Sequence, residues 1–367
     1  MVNSVSSPAE VAALAEGLAS RVRRPWTVME VCGGQTHSIL RWGLDQLLPD
    51  GLRLIHGPGC PVCVTPAAIL DGALRLARTP GVILCAYGDM LRVPGSEPGL
   101  DLLAARAAGG EVRLLTSPGE ALALAQRQPE RQVVFLAVGF ETTAPATALL
   151  AKQARALGLA NLSLLIAHVR VAPAMAALLA DPANEVEAFL AAGHVCGVLG
   201  TGELEALVER FAVPVVVTGF EPADVMAGLS RAVELLEAGT PRVANAYARV
   251  VRPEGNPAAR ALLEEVFVPV DQIWRGLGPI PLGGLALRPP YDTLDARQRF
   301  VLPGLEGSAE PACPSCGEVC ISGAILQGRA TPPRCPAFGT SCTPEHPLGA
   351  PMVSSEGACA AWYRYRR

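Results

Sequence analysis

Cysteines are the residues of this chain whose positions point most directly to chemistry. The 367-residue sequence contains eleven of them. Five are scattered through the first two thirds and six crowd the C-terminal region: Cys32, Cys60, Cys63, Cys85 and Cys196, then Cys313, Cys316, Cys320, Cys335, Cys342 and Cys359. In a reducing compartment, so many thiols are more often metal ligands or redox groups than structural disulfides.

The first candidate is Cys32, which follows an apolar run and precedes a helical pattern in "WTVMEVCGGQTHSIL" (26–40). A cysteine between a strand and a helix N-terminus has a thiolate stabilised by backbone N–H groups and the helix dipole. Gly33 and Gly34 permit positive φ and close approach of a ligand. His37 is a candidate orienting or proton-donating group. The alternative is a small buried residue at Cys32 and a surface histidine at His37.

The second candidate is the Cys60-Pro-Val-Cys63 pair within "HGPGCPVCVTP" (56–66). It stands between a predicted strand and a predicted helix, which is typical of a redox dithiol whose first thiol has a lowered pKa. The same spacing suits half of a metal site, because thiolates at i and i+3 can share one ion.

The third candidate is the C-terminal group of cysteines. Cys320, Cys335, Cys342 and Cys359 are separated by 14, 6 and 16 residues. Four cysteines in a loop-rich segment predict a tetrathiolate site, which holds either structural zinc or a [4Fe–4S] cluster. A further alternative is a zinc-ribbon-like set, in which Cys335 and Cys342 combine with the pair Cys313 and Cys316. From the residues alone, zinc is slightly favoured.

Secondary candidates are polar residues that flank predicted strands and helices: Asp89, Glu141, His168, His194 and Glu221. Glu141 and Glu221 are interpreted as helix-capping residues, with a proton relay as the alternative. Cys85 and Cys196 lie inside apolar runs and are predicted to pack in the core. The sequence has no G-x-x-x-x-G-K-[ST], G-x-S-x-G or H-E-x-x-H pattern, so P-loop, serine-hydrolase and zincin chemistry lack support.

These residues are positioned by a predicted α/β fold, because short apolar runs alternate with helical patterns. Runs that are apolar throughout are typical of parallel strands buried on both faces. The predicted strands are Thr27–Val31, Arg53–His56, Val82–Tyr87, Val112–Leu115, Gln132–Val138, Leu162–Ala167, Val195–Leu199 and Val213–Thr218. The predicted helices include Pro66–Arg78, Gly119–Arg127, Ala144–Leu157 and Glu203–Phe211. Ligands of such sheets bind at the carboxyl ends of the strands.

Three domains are predicted from changes in composition. Residues 1–128 form an α/β domain with Cys32 and the C-x-x-C pair, and residues 129–250 form a second α/β domain. Residues 251–367 are rich in proline and glycine, and a metal would stabilise such a small, loop-rich domain.

Charge and hydropathy limit the classes of partner and the cellular location that are expected. The net charge of -4 argues against nucleic-acid or anionic-membrane partners. No apolar run reaches the roughly 20 residues that span a bilayer. The N-terminal segment is interpreted as an amphipathic helix and not a signal peptide, so a cytoplasmic location is expected.

Together these motifs resemble the HypD family of hydrogenase maturation proteins, over nearly the whole chain from Trp26. The resemblance is carried by "MEVCGGQTH" (29–37), "HGPGCPVCVTP" (56–66), "YGDMLRVPGS" (87–96), "VGFETTAPATA" (138–148), "GFEPADVM" (219–226) and "CPAFGTSCTPEHPLGAPMVSSEGACAAWYRY" (335–365). It implies two Rossmann-like parallel-sheet domains and a small [4Fe–4S] domain. The family spacing C-x14-C-x6-C-x16-C selects Cys320, Cys335, Cys342 and Cys359 as cluster ligands and overturns the preference for zinc.

The resemblance also implies a function, which is assembly of the Fe(CN)2CO group of [NiFe]-hydrogenases. Cys32 is then an iron ligand shared with a chaperone partner, HypC. Cys60 and Cys63 act as a redox pair between iron and cluster, or as further iron contacts. HypE delivers cyanide, and the hydrogenase large-subunit precursor is an indirect partner. The soft thiolate ligands suit low-spin iron. The alternative is a thiol–disulfide oxidoreductase with a structural C-terminal metal.

Overall fold

A computed structural model describes residues 6–97, 99–305 and 319–366. Its framework is two separate parallel sheets and one antiparallel hairpin. The strands are β1 Trp26–Glu30, β2 Leu52–His56, β3 Val82–Ala86, β4 Val112–Leu114, β5 Gln132–Gly139, β6 Leu162–His168, β7 Ala188–Ala192, β8 Val215–Thr218, β9 Val243–Asn245, β10 Phe267–Trp274 and β11 Gly278–Leu287.

The first sheet has the order β2-β1-β7-β8-β9, and the second has the order β4-β3-β5-β6. Every pair of neighbours in these two sheets is parallel. Strands β10 and β11 pair antiparallel with each other. The fold is therefore α/β with two parallel sheets, as predicted.

Helices cover both faces of the parallel sheets. The α-helices are α1 Pro8–Ala19, α2 Gly33–Trp42, α3 Pro61–Val64, α4 Ala67–Ala77, α5 Leu102–Ala107, α6 Gly119–Arg127, α7 Ala144–Ala156, α8 Val171–Ala180, α9 Gly193–Leu199, α10 Gly202–Phe211, α11 Pro222–Glu237, α12 Pro257–Val266, α13 Ala296–Arg299, α14 Ser322–Leu326 and α15 Ala358–Tyr365. Among the described residues, no helix is long and apolar enough to cross a membrane.

The apolar runs are explained by burial on both faces of each sheet. In the first sheet, Met29 packs in the cluster on one face, and Val28 packs in the cluster on the other. The second sheet has the same arrangement, with Leu84 on one face and the neighbouring Cys85 on the other. Each successive side chain of a strand points to the opposite face, so both must be apolar. Cys85 is a core residue, as predicted.

One predicted strand is wrong. Val195–Leu199 lies within the helix α9, and the strand of this region is the preceding run, Ala188–Ala192. Both runs are short and apolar, and periodicity does not distinguish a buried strand from a buried helical segment. The strand pairs with β1 on one side and β8 on the other, and this pairing decides which run is extended.

The predicted division at residues 128 and 129 does not coincide with the sheets. The chain leaves the first sheet after His56, builds the whole second sheet, and returns to the first with β7 at Ala188. Residues after 250 are also not a separate unit throughout. Helix α12 and the β10–β11 hairpin contribute Leu263 and Phe267 to the same core cluster as Phe135 of β5. Packing, and not chain order, groups these elements.

Candidate functional site

Cys32 stands at the junction between β1 and α2. It is the N-cap residue of α2 and has an extended backbone, with φ -147° and ψ 118°. Its N–H donates to Glu30 Oε2 over 2.8 Å, so the last residue of the strand fixes the turn. The thiol itself makes no capping hydrogen bond, and Cys32 is only 3% exposed. The predicted strand-end position is confirmed.

The turn before Cys60 packs directly on Cys32. Gly33 N–H donates to Gly59 O over 2.7 Å. A Cβ atom on Gly59 would lie 2.3 Å from Cys32 N, so only glycine fits this contact. The two sequence motifs therefore share one site.

The predicted roles of Gly33 and Gly34 differ from the observed ones. Neither has a positive φ. A Cβ atom on Gly33 would lie 2.5 Å from the Glu356 carbonyl oxygen, and one on Gly34 would lie 3.2 Å from the ring of Phe220. These glycines permit close packing of the C-terminal segment and of Phe220 against the start of α2.

Cys60 and Cys63 form a disulfide in this structure. Cys60 caps the short helix α3, its sulfur accepts from Cys63 N–H over 3.3 Å, and both residues are buried. They belong to the same apolar cluster as Cys32. The pair therefore lies in the same core as Cys32, and its use in a redox reaction remains a prediction.

The pKa of Cys32 is shifted in the direction opposite to the prediction. Burial raises it far above the ordinary value for a thiol. The N–H groups of Gln35 and Gly34 lower the pKa, but the carboxylates of Glu30 and Glu356 raise it further. The effect of burial on this pKa is larger than the effect of the helix N-terminus, because two N–H dipoles stabilise the buried thiolate less than the lost water would.

His194, and not His37, is the histidine beside Cys32. Its Nδ1 lies 3.8 Å from Cys32 Sγ, its ring packs on Phe220, and burial lowers its pKa to about 4. The ring of His37 instead faces the C-terminal segment, where Nδ1 lies 3.3 Å from Ser355 O and Nε2 lies 3.1 Å from Tyr365 Oη. His37 joins α2 to that segment, and the structure does not bring it to the thiol.

A buried polar network under Cys32 was not predicted. Glu30 is fully buried and its Oε1 lies 2.7 Å from His56 Nδ1. Thr36 Oγ1 donates to the same oxygen. Glu30 and His56 are paired residues at the ends of the neighbouring strands β1 and β2. The signal in the sequence was a polar residue at the end of each of two apolar runs.

The C-terminal cysteines that the structure describes lie close together. Cys320, Cys335, Cys342 and Cys359 are all buried, with exposures of 6 to 9%. Burial raises the pKa of Cys359 well above the ordinary value, and the other three cysteines raise it further. Leu348 N–H donates to the Cys342 sulfur over 3.3 Å, and a Cβ atom on Gly349 would lie 2.9 Å from the Cys320 sulfur.

The proximity of these cysteines does not by itself give the arrangement of ligands that a metal ion requires. Within residues 6–97, 99–305 and 319–366, no group of three or more His, Cys, Asp or Glu side chains has an arrangement that would hold a metal ion. Cys313 and Cys316, which belong to the alternative zinc-ribbon set, lie outside the described residues.

Comparison with known proteins agrees with the motifs of the site. The family model described as "HypD: Hydrogenase formation hypA family" matches residues 9–366. The chain belongs to the HypD family of hydrogenase maturation factors. A relative from Azotobacter vinelandii, named hydrogenase maturation factor HypD, is 46% identical over 97% of this chain and 95% of its own length. The Escherichia coli K12 protein of the same name is 44% identical over 100% of this chain and 98% of its own length.

The HypD match includes every part of the site described above. It extends from before Cys32 to beyond Cys359, and so covers the strand-end thiol, the Cys60–Cys63 pair and the C-terminal cysteines. The resemblance predicted from the motifs is therefore confirmed at the level of the family.

Proposed function

We propose that this protein is the scaffold on which the Fe(CN)2CO group of [NiFe]-hydrogenases is assembled, with Cys32 as the iron ligand. The observation that carries the proposal is the Cys32 thiol itself. It is buried at a strand end, faces the N–H groups of Gly34 and Gln35, and packs on the turn that precedes Cys60. Iron is here the cargo of the protein.

The raised pKa of Cys32 supports a metal cargo more than a free nucleophile. A buried thiol with a raised pKa is protonated at neutral pH and is a poor nucleophile. A bound cation removes this obstacle, because a coordinating thiol loses its proton outright. A thiolate is also the type of ligand that a soft iron centre prefers.

The cysteines that would hold a [4Fe–4S] cluster are Cys320, Cys335, Cys342 and Cys359. Their fit is supported by three properties: all four are buried, the other three lie within electrostatic reach of Cys359, and the Cys342 sulfur accepts an N–H hydrogen bond. Hydrogen bonds to cluster sulfurs are among the features that tune such sites. When bound, the cluster would supply a one-electron reservoir.

The C-terminal segment is joined to the Cys32 helix by side-chain contacts. Tyr365 contacts His37, Arg366 pairs with Asp45, and the Glu356 backbone packs on Gly33. These contacts hold the segment that carries Cys359 against the helix that begins at Cys32. In this proposal Cys60 and Cys63 are a two-electron dithiol–disulfide couple in the same core as Cys32, and a bound cluster would supply electrons one at a time. In this proposal a HypC-type chaperone shares the iron, and a HypE-type protein delivers cyanide.

A stand-alone thiol–disulfide oxidoreductase is the second candidate, because the Cys60–Cys63 disulfide is present. The burial of both residues argues against it, since their exposures are 2% and 1%. A disulfide exchanges with a protein substrate only when a thiolate can reach one of its sulfurs. Reduction of a protein disulfide by this chain alone would favour this candidate over the scaffold.

Infrared spectroscopy tests the iron site. The chain is purified anaerobically with its chaperone, and bands of iron-bound cyanide and carbon monoxide are expected. Cys32→Ala should abolish the bands, and Cys85→Ala, which alters a core thiol of the second sheet, should retain them. Bands that survive Cys32→Ala would refute the assignment.

Iron and acid-labile sulfide analysis tests the cluster separately. Cys359→Ala should lower both contents, and Cys85→Ala should leave them unchanged. Stoichiometric zinc without iron in the wild-type protein would instead support a structural metal site.

A further inference from the structure

A concave site is lined by residues outside the three groups of cysteines described above. It is a pocket of about 400 Å³ between the start of α10, the helix α12 and the β10–β11 hairpin. Its apolar wall includes Leu263, Phe267 and Leu285. Pockets of 300–1,000 Å³ with an apolar lining and a few convergent polar groups are typical small-molecule sites.

Glu141 lies where this pocket meets a smaller internal cavity. It lines both, and it is only 2% exposed. Its Oε1 accepts from Val171 N–H over 2.9 Å, but its Oε2 has no hydrogen-bond partner among the described residues. A buried carboxylate oxygen without a partner is costly, so a bound group that donates to it is expected.

The smaller cavity does not supply an organic partner for Glu141. Its volume is about 20 Å³, and apolar residues, Cys196 and Glu203 line it together with Glu141. That volume holds one water molecule at most. A larger donor has to come from the outer pocket.

Three arginines in the outer pocket provide the complementary chemistry: Arg170, Arg260 and Arg288. Arg170 is close enough to Glu141 to lower the pKa of that carboxyl. It donates to Glu203 and Leu282 O, Arg260 donates to Glu254 O and lies 3.9 Å from Glu264, and Arg288 Nε donates to Phe267 O. These contacts leave N–H donors, because a guanidinium has five. Glu203 and Glu264 also line the pocket and balance its charge.

We propose that the outer pocket binds a small zwitterion, an α-amino acid with an apolar side chain. Its ammonium group donates to Glu141 Oε2, its carboxylate accepts from the arginines, and its side chain lies against Leu263, Phe267 and Leu285. A charge-balanced lining with one unpartnered acceptor suits a ligand that has both charges. A simple anion would leave Glu141 unpartnered, and a simple amine would leave the arginines unused.

Calorimetric titration of the full-length protein with three matched probes tests this inference at pH 8, where Glu141, with a pKa raised by burial to about 7, is ionised. The probes are L-leucine, 4-methylpentanoate, which lacks the amine, and 3-methylbutylamine, which lacks the carboxylate. Leucine is expected to bind at least tenfold more tightly than either half, because each half loses a charge-assisted contact. Glu141→Gln and Arg260→Gln should each weaken leucine binding by a similar factor.

The control is Glu185→Gln, which alters an exposed pair with Arg53 in a different pocket. It should bind leucine as the wild type does. Arg260 is 44% exposed, so its variant remains informative if Glu141→Gln fails to fold. The proposal would be overturned by absence of leucine binding, by equal affinity for the three probes, or by full affinity in both pocket variants. Water would then be the remaining hydrogen-bond partner of Glu141 Oε2.

Discussion

Replacement of Glu141 by glutamine should change the pH dependence of stability. Burial raises the pKa of Glu141 from its ordinary value of 4.5 to about 7, and the Val171 and Glu141 N–H groups and Arg170 oppose this shift only in part. Glu203 adds to the rise. The native state therefore binds this proton more tightly than the unfolded chain does. Its stabilising contribution is complete below pH 4.5 and is lost as the pH rises to 7.

The magnitude follows from the two pKa values. A difference of about 2.5 pKa units, at 1.36 kcal/mol for each, corresponds to about 3 kcal/mol of stability lost by the wild type between pH 4.5 and 8. Glutamine cannot ionise and is close in shape to the protonated carboxyl. Glu141→Gln should therefore match the wild type near pH 4.5 and be more stable by up to about 3 kcal/mol at pH 8.

Urea denaturation in steps from pH 4.5 to 8, in buffer free of amino acids, measures this difference. The urea midpoint of the variant should exceed that of the wild type by an amount that grows with pH. The denaturant slope m should stay the same for both proteins. The control is Glu264→Gln in the outer pocket, where the side chain is 72% exposed and no such trend is expected. A pH-independent difference between Glu141→Gln and the wild type would refute the assigned burial and proton affinity.

Two further predictions concern the contacts of Cys32. Gly59→Ala places a Cβ atom 2.3 Å from Cys32 N and should lower the free energy of unfolding by about 1–3 kcal/mol. In Gly197→Ala the new Cβ atom meets nothing within 4 Å, so this control should not lower the free energy of unfolding. Equal urea midpoints for the two variants would contradict the close contact at Gly59. In metal-free native protein at pH 8, alkylation of Cys32 by iodoacetamide should be far slower than in urea, because the thiol is buried with a raised pKa. Peptide mass spectrometry measures this rate, and rapid native labelling would show that the thiol is accessible.

Local patterns in the sequence were sufficient for most elements and for the positions of the candidate site cysteines in those elements. The strand before Cys32 and the helix Gly119–Arg127 follow from apolar runs and helical periodicity, which depend on residues close in the chain. The C-x-x-C pair also falls between a strand and a helix, as its motif predicts. These features needed no knowledge of distant contacts.

Tertiary packing decided the rest, because it brings together residues that are far apart in the chain. The choice of Ala188–Ala192 as a strand depends on its pairing between β1 and β8. That pairing places His194 beside Cys32, although the two residues are 162 positions apart in the sequence. The side chain of His37 instead contacts Tyr365 of α15. The raised pKa of Cys32 has the same origin: a helix N-terminus is visible in the sequence, but the loss of water around a thiol depends on everything that packs over it.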